Sequence, residues 1–77
     1  MKVLERISVS PDIMTGKPCI RGMRVTVSTI LGLLAAGASH EEILRNYPLL
    51  EQADIEACLA YAAWRTQEYE VPLVPVP

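Results

Sequence analysis

The sequence predicts one small, mainly α-helical domain in which three helices follow a short N-terminal strand and an extended arm. Apolar residues recur at helical spacing in three successive segments between residues 26 and 69. A tight glycine-containing turn separates the first two segments, which is typical of a helix-turn-helix. The chain has 77 residues, of which 51% are hydrophobic, and this length is near the lower limit for a self-sufficient core.

The first segment of the chain is expected to form the strand. Val3, Ile7 and Val9 give residues 3–9 an imperfect alternation of apolar and polar positions, which indicates a short strand. A Ser-Pro-Asp break at residues 10–12 ends this alternation. With the arm that follows, residues 1–25 make up the first of three predicted regions.

The arm, Gly16–Val25, is the most informative part of the sequence. Because glycine adopts positive φ and proline fixes φ, its two glycines and one proline predict a shaped turn. The arm carries Lys17, Arg21 and Arg24, which together with Arg45 are the residues that we expect to contact DNA phosphates. The alternative interpretation is a simple tight turn whose cations are only solvated.

The first helix is predicted to begin after Thr26 or Ser28, since either hydroxyl can cap a helix. Gly37 is a natural stop, because glycine readily adopts the left-handed conformation there. Gly32 lies inside the helix at a cost of about 1 kcal/mol relative to alanine, and we expect it to permit close helix packing. The predicted buried stripe consists of Val27, Ile30, Leu31 and Leu34.

The second helix has the clearest local signal in the chain. Ser39 and Glu42 have the spacing of a capping box, and Pro48 predicts the end of the helix. By position this would be the recognition helix of a helix-turn-helix, although Glu41 and Glu42 at its start are unfavourable beside phosphates. Its predicted buried residues are Ile43, Leu44 and Tyr47.

The third helix is predicted to begin near Glu51 and to run to about Glu68. Two apolar stripes cover most of its circumference: Ile55, Cys58, Leu59 and Ala62 form one, and Ala57, Ala60, Tyr61 and Trp64 the other. A chain of this size can cover only one of them. We therefore predict a homodimer, with Tyr61, Trp64 or the strand Val3–Val9 at the interface; the alternative is a monomer in which the N-terminal arm covers the second stripe.

The C-terminal tail, residues 70–77, forms the third region after the helical domain at residues 26–69. Its three prolines exclude a helix and favour polyproline II. The tail is either a disordered end or, because it is apolar, a segment that lies in a partner's groove. In the second case Val71, Leu73 and Val74 belong to the partner interface.

The charge distribution is uneven. The net charge is −2, but residues 1–24 carry +3 and residues 25–77 carry −5, so a basic end suited to phosphates adjoins an acidic body. Cys19 and Cys58 have no metal-ligand spacing, and His40, at a helix start, has no catalytic partner. We predict no enzyme activity, no cofactor and no metal. The absence of a signal-like or membrane-spanning run predicts a cytoplasmic location.

These motifs, in this order and spacing, resemble the bacterial family known as domain of unknown function 433. The resemblance covers roughly residues 5 to 64. The matching motifs are Gly16-Lys17-Pro18, Ile20-Arg21-Gly22, Arg24-Val25, Gly37, Ser39, Glu41-Glu42-Ile43-Leu44, Tyr47-Pro48, Asp54-Ile55 and Ala60-Tyr61-Ala62.

The resemblance implies a homeodomain-like helix-turn-helix domain with an N-terminal arm. It also implies a VapB-type antitoxin, which binds a PIN-like ribonuclease toxin and represses its own operon. The alternative function is a protein–protein interaction module without DNA binding. The chain departs from the family pattern at Met23 and at Glu51, where the family usually has threonine and a threonine or serine cap.

Overall fold

Three helices and one two-stranded sheet form the part of the chain that the computed structural model describes, residues 5–68. The predicted mainly α-helical fold is confirmed. Strands β1 (Ile7–Ser8) and β2 (Cys19–Ile20) pair antiparallel, with Ile7 opposite Ile20 and Ser8 opposite Cys19. Within the described part of the chain, β1 is shorter than the predicted strand.

The shortness of β1 has a local cause on each side of the pair. A turn follows the strand directly, closed by the Ile13 N–H donating to the Ser10 carbonyl at 3.0 Å. Its partner strand turns away at Arg21 and Gly22, where φ is +44° and +71°. Val9 therefore lies outside the pairing and is 63% exposed, whereas Val3 lies outside the described residues.

Helix α1 (Val27–Ala35) begins and ends as predicted. The Thr26 hydroxyl caps it by accepting from the Thr29 N–H at 3.1 Å. At its end Gly37 has φ +99°, and the Ala38 N–H donates to the Leu33 carbonyl at 3.0 Å, which is the bond of a Schellman motif. Both ends of α1 are therefore defined by residues that the sequence identifies.

Gly32 corrects one expectation about α1. A Cβ built on Gly32 would meet no other atom within 4 Å, and the residue is exposed. The prediction that Gly32 permits close helix packing is therefore wrong. The helix packs through the opposite side, where Val27 and Ile30 are buried.

Helix α2 (His40–Asn46) has the predicted capping box. The Ser39 hydroxyl accepts from the Glu42 N–H at 3.1 Å, and a Glu42 carboxylate oxygen accepts from the Ser39 N–H at 3.0 Å. The helix ends one residue before Tyr47, which precedes Pro48. Its core residue is Ile43, which is fully buried.

Helix α3 (Gln52–Glu68) has the predicted bounds, but its buried face differs from the predicted stripes. Asp54 is fully buried beside Ile55 and Cys58. The buried face of α3 is therefore centred nearer to Asp54 than predicted, and Leu59 lies away from the core. Leu59 is rotated by about 100° from Cys58 and is 43% exposed. Tyr61, predicted in the second stripe, packs against the core.

The core lies where the three helices meet strand β2. Its buried members are Ile20, Val27, Ile30, Ile43, Leu50, Ile55 and Cys58. Cys19 and Cys58 are both buried free thiols, and burial raises the pKa of Cys58 to about 11. Both cysteines thus fill buried space in the fold. Within residues 5–68, no helix combines the length and apolar character needed to cross a membrane.

Candidate functional site

The arm makes a tight turn whose backbone forms hydrogen bonds both within the arm and to the segment that contains β1. Positive φ at both Arg21 and Gly22 is typical of a type I′ turn, and the Met23 N–H closes it by donating to the Ile20 carbonyl at 2.8 Å. The Gly22 N–H donates to the Ser8 hydroxyl at 2.7 Å. The Arg21 N–H donates to the Arg6 carbonyl at 2.9 Å. The arm is thus joined to the segment that contains β1.

The Arg21 side chain joins the arm to the start of α3. Its Nε donates to Asp54 Oδ1 at 3.0 Å and its Nη2 donates to Asp54 Oδ2 at 2.9 Å, which is the bidentate geometry of a strong arginine–carboxylate pair. Nη2 also donates to the Leu49 carbonyl at 2.8 Å. One guanidinium therefore fixes the arm to both α3 and the loop before it.

Arg6 completes a charge cluster with the same carboxylate. Its Nη1 donates to Asp54 Oδ1 at 2.9 Å and to Glu51 Oε1 at 3.0 Å. The cluster of Arg6, Arg21, Glu51 and Asp54, called here the arm clamp, contains two positive and two negative side chains. It is therefore neutral overall, although each arginine is about one third exposed.

The pKa values of the arm clamp agree with this arrangement. Burial alone would raise the pKa of Asp54, but hydrogen bonds from Arg21, the Glu51 N–H and Arg6 outweigh it and hold the pKa below its ordinary value. The same hydrogen bonds to Asp54 raise the pKa of both arginines. Asp54 is therefore ionised across the physiological range of pH.

The four cations predicted to contact DNA have different surroundings. Arg21 is committed to the arm clamp. Lys17 and Arg24 are exposed and form no ion pair within residues 5–68. Arg45 lies in the last turn of α2, where its charge helps to lower the pKa of Glu42 after the larger effect of the Ser39 hydrogen bonds. Their contact with DNA stays a prediction.

An apolar groove runs beside the arm. It has a volume of about 550 Å³. The arm forms one side of it and the loop between α2 and α3 forms the other. The lining residues are Gly22, Met23, Arg24, Val25, Asn46, Tyr47, Pro48, Leu49 and Leu50.

Two features of the groove indicate that it is open to a ligand. Leu49 is 76% exposed at its edge, and Arg24 supplies positive charge to an otherwise largely apolar lining. Met23 supplies a flexible thioether side chain to this lining. Such a groove suits an extended apolar segment more than a small polar molecule.

The residues predicted at a partner interface are only partly described. Tyr61 and Trp64 lie side by side with ring centroids 6.0 Å apart, but Tyr61 contacts the protein's own core and Trp64 is 37% exposed. Val71, Leu73 and Val74 lie outside the described residues. The large apolar side chains that α3 exposes are therefore Trp64 and Leu59, whereas Tyr61 contacts the core.

The sequence indicated no tertiary contact for Asp54, and its pairing with Arg6 and Arg21 was missed. Asp54 also accepts from the Glu51 N–H at 2.8 Å at the start of α3. No local motif signals this pairing, because the two arginines lie 48 and 33 positions from Asp54. The groove had no sequence signal, because its two sides are more than twenty residues apart.

The family described as "Protein of unknown function (DUF433)" matches residues 7–62 of the chain. The uncharacterized protein y4eO from Sinorhizobium fredii (strain NBRC 101917 / NGR234) is 40% identical over 58 residues. That match covers 75% of this chain but 26% of the relative, so the chain spans about a quarter of its length. The crystal structure of a DUF433 member protein from Anabaena variabilis ATCC 29413 is similar with a TM-score of 0.77 and 28% identity, covering 87% of this chain and 66% of that one.

Proposed function

The chain belongs to the DUF433 family, and we propose that it is an antitoxin-like adaptor of the helix-turn-helix type. In this proposal it binds a PIN-like ribonuclease toxin and also binds the DNA of its own operon, which it represses. The arm contributes phosphate contacts beside the α1–α2 hairpin. The protein performs no catalysis itself.

The DNA-binding part of the proposal is supported chiefly by one observation, the anchored arm. The arm clamp holds the backbone of the turn, while Lys17 and Arg24 on either side of Arg21 are exposed. A cation on an ordered backbone loses less conformational freedom on binding than one on a disordered tail. Arg21 thus acts as an anchor, and Lys17, Arg24 and Arg45 are left to meet phosphates.

A fluorescence-anisotropy titration with the DNA upstream of the gene tests this half. Binding led by phosphates weakens steeply between about 50 and 200 mM salt. Lys17→Ala and Arg24→Ala should each weaken binding and lower the salt dependence by about one phosphate contact. Gln67→Glu, an exposed position near the end of α3, changes the net charge by the same amount and serves as the matched control. Equal affinities for all three variants would contradict the proposal.

Co-expression with the neighbouring reading frame tests the toxin half. The proposal expects a gene for a PIN-like ribonuclease beside this one and a stable complex that co-purifies. Failure of the two proteins to co-purify would exclude that toxin as the partner. The DNA titration is independent of this result.

The second candidate is an interaction module that does not bind DNA. The groove favours it, since exposed Leu49 and the apolar lining suit a protein segment. Glu41 and Glu42 in the first turn of α2 also favour it, because they repel phosphates at the position of a recognition helix. Absence of DNA binding at 50 mM salt would select this candidate.

Both candidate functions are compatible with self-association of the chain. The outward side of α3 exposes Leu59 and Trp64, and we propose that two copies pair when no other partner is present. Light scattering at micromolar concentration should then show a dimer. A single species of 8.5 kDa would contradict pairing.

A further inference from the structure

We infer that the groove beside the arm binds the C-terminal tail of a second copy of this chain, residues 70–77. This inference concerns self-association and requires neither DNA nor a toxin. It assigns an occupant to a surface that neither candidate function uses for pairing. The chemistry of the groove, the composition of the tail and the distance between them favour this occupant.

The two surfaces have matching chemistry. The groove is lined mainly by apolar side chains, including Met23, Val25 and Tyr47. The tail, Val-Pro-Leu-Val-Pro-Val-Pro from residue 71, is apolar throughout. Its prolines have no N–H and fix φ, so the tail loses little conformational freedom when it docks as an extended segment. Proline-rich segments are commonly recognised by grooves that contain aromatic residues, and here Tyr47 and Pro48 supply that surface.

Charge also matches across the two segments. Arg24 lines the groove and has no acidic partner within residues 5–68. Glu70 directly precedes the apolar run of the tail. A tail that enters the groove beside the arm places this carboxylate next to the guanidinium.

Distance favours a second copy over the same chain. Helix α3 begins at Gln52, two residues after Leu50 in the groove, and ends at Glu68. Its 17 residues separate its ends by about 25 Å. Residues 69–77 in an extended conformation span about 28 Å, so only the last residue or two could return to the chain's own groove. Val71, Leu73 and Val74 can therefore reach the groove of another copy but not the groove of their own chain.

An antiparallel pairing of two α3 helices would meet this requirement for both copies. The C-terminal end of each helix would lie beside the N-terminal end of the other, next to its groove. The exchange is then reciprocal and closes with twofold symmetry. The exposed Leu59 and Trp64 on α3 are available to such a pair.

Filtered nuclear Overhauser measurements on a mixture of ¹³C-labelled and unlabelled full chains provide the direct test. We expect contacts between the methyl groups of Val71, Leu73 or Val74 of one copy and the Tyr47 ring or Met23 methyl of the other. Contacts found only within one chain would overturn the inference. Absence of tail contacts at the groove would also overturn it and would leave the groove to a different protein.

A charge exchange gives a second, independent test by light scattering of the full chain. Arg24→Glu and Glu70→Arg should each weaken self-association roughly two- to fivefold, as expected for a solvent-exposed ion pair. The double variant should restore it. If the double variant is as weak as the sum of both changes, the two side chains do not meet and the inference is wrong.

Leu49→Ser extends this test to the apolar part of the groove. Leu49 is 76% exposed, so the substitution leaves the fold intact, and it should weaken self-association about tenfold by removing apolar contact. Met14→Ser is the matched control for the tail contacts, because Met14 is 37% exposed and lies outside both the groove lining and α3. The intermolecular tail contacts should persist in Met14→Ser and disappear in Leu49→Ser; loss in both or in neither would contradict the assignment.

Discussion

The starts of α2 and α3 use the same local capping arrangement, but only one of them also holds the tertiary structure. At α2, Glu42 accepts the Ser39 N–H, and at α3, Asp54 accepts the Glu51 N–H. In each case an acidic side chain at the third helical position reaches back to the cap residue. The difference is that Asp54 is fully buried and Glu42 is exposed.

That difference decides what each acid can bind. Glu42 satisfies a backbone group within its own turn and is also close to Arg45. Asp54 accepts from Arg21, which is 33 positions away, and from Arg6, which is 48 positions away. Because the Asp54 carboxylate is buried, it caps its own helix and also binds two side chains from distant parts of the chain. The arm, with its exposed cations, depends on this point.

Of the substitutions that test this difference, Asp54→Asn should have the largest effect on stability. The substitution keeps the size of the side chain but leaves two arginines without their shared counter-charge. We expect the free energy of unfolding in urea to fall by about 3 kcal/mol, at the lower end for a broken buried pair because the arginines are partly solvated. Glu56→Gln, at an exposed position two residues further along α3, is the control and should change stability by less than about 0.5 kcal/mol. Equal losses would show that the arm clamp contributes nothing.

Low pH should also weaken the arm clamp, because it protonates Asp54 and removes its negative charge. The pKa of Asp54 is lower in the folded chain than its ordinary value of 3.8, so its stabilising contribution is complete above that value and is lost as pH falls through the folded pKa. Urea denaturation between about pH 5 and 2 should show a steep loss of stability in the unmodified chain. The loss should be shallower in Asp54→Asn, and parallel curves would contradict the assignment.

Ser39→Ala should disturb the other helix start without disturbing the arm. We expect a loss of about 1 kcal/mol, as is typical for removal of a serine cap, with faster amide hydrogen exchange in α2. Exchange at the Gly22 N–H, which donates to Ser8, should not change. Faster exchange at Gly22 would mean that the two helix starts are coupled. Thr66→Ala is a suitable control, because that exposed hydroxyl donates to the Ala62 carbonyl at 2.7 Å within α3 and caps no helix start.

Gly32→Ala should have the smallest effect and the opposite sign. The new methyl group meets no atom within 4 Å, and alanine favours the helix interior, so we expect a gain of about 0.5–1 kcal/mol. Thermal or urea denaturation measures it. The gain should be equal in the unmodified chain and in Asp54→Asn, because α1 takes no part in the arm clamp. A loss would mean that Gly32 faces another surface.

The sequence predicted the features that depend on neighbouring residues. The capping box at Ser39, the stop at Gly37 and the bounds of α3 all follow from residues within one helical turn. The core positions Val27, Ile30 and Ile43 follow from helical periodicity. The DUF433 family also followed from motifs that are local and ordered along the chain.

The features that were missed depend on contacts between distant residues. Asp54 occupies a core position that periodicity reserves for an apolar residue, and this places Leu59 outside. No pattern in the sequence indicates that Arg6 and Arg21 neutralise Asp54, because charge along the chain does not specify which charges meet. The groove likewise lies between two distant segments, the arm and the α2–α3 loop, which the hydrogen bond from Arg21 to the Leu49 carbonyl joins.

The most direct test of the account is a double-mutant cycle between Arg21 and Asp54, measured by urea denaturation. The central claim is that Arg21 anchors the arm through Asp54 at 2.9 Å, which orders the backbone that carries the exposed Lys17 and Arg24. If so, Arg21→Gln and Asp54→Asn each destabilise the chain, and the double variant loses clearly less than the sum of the two single losses. Additive losses within error would contradict the claim, because they would show that the two side chains stabilise the fold independently.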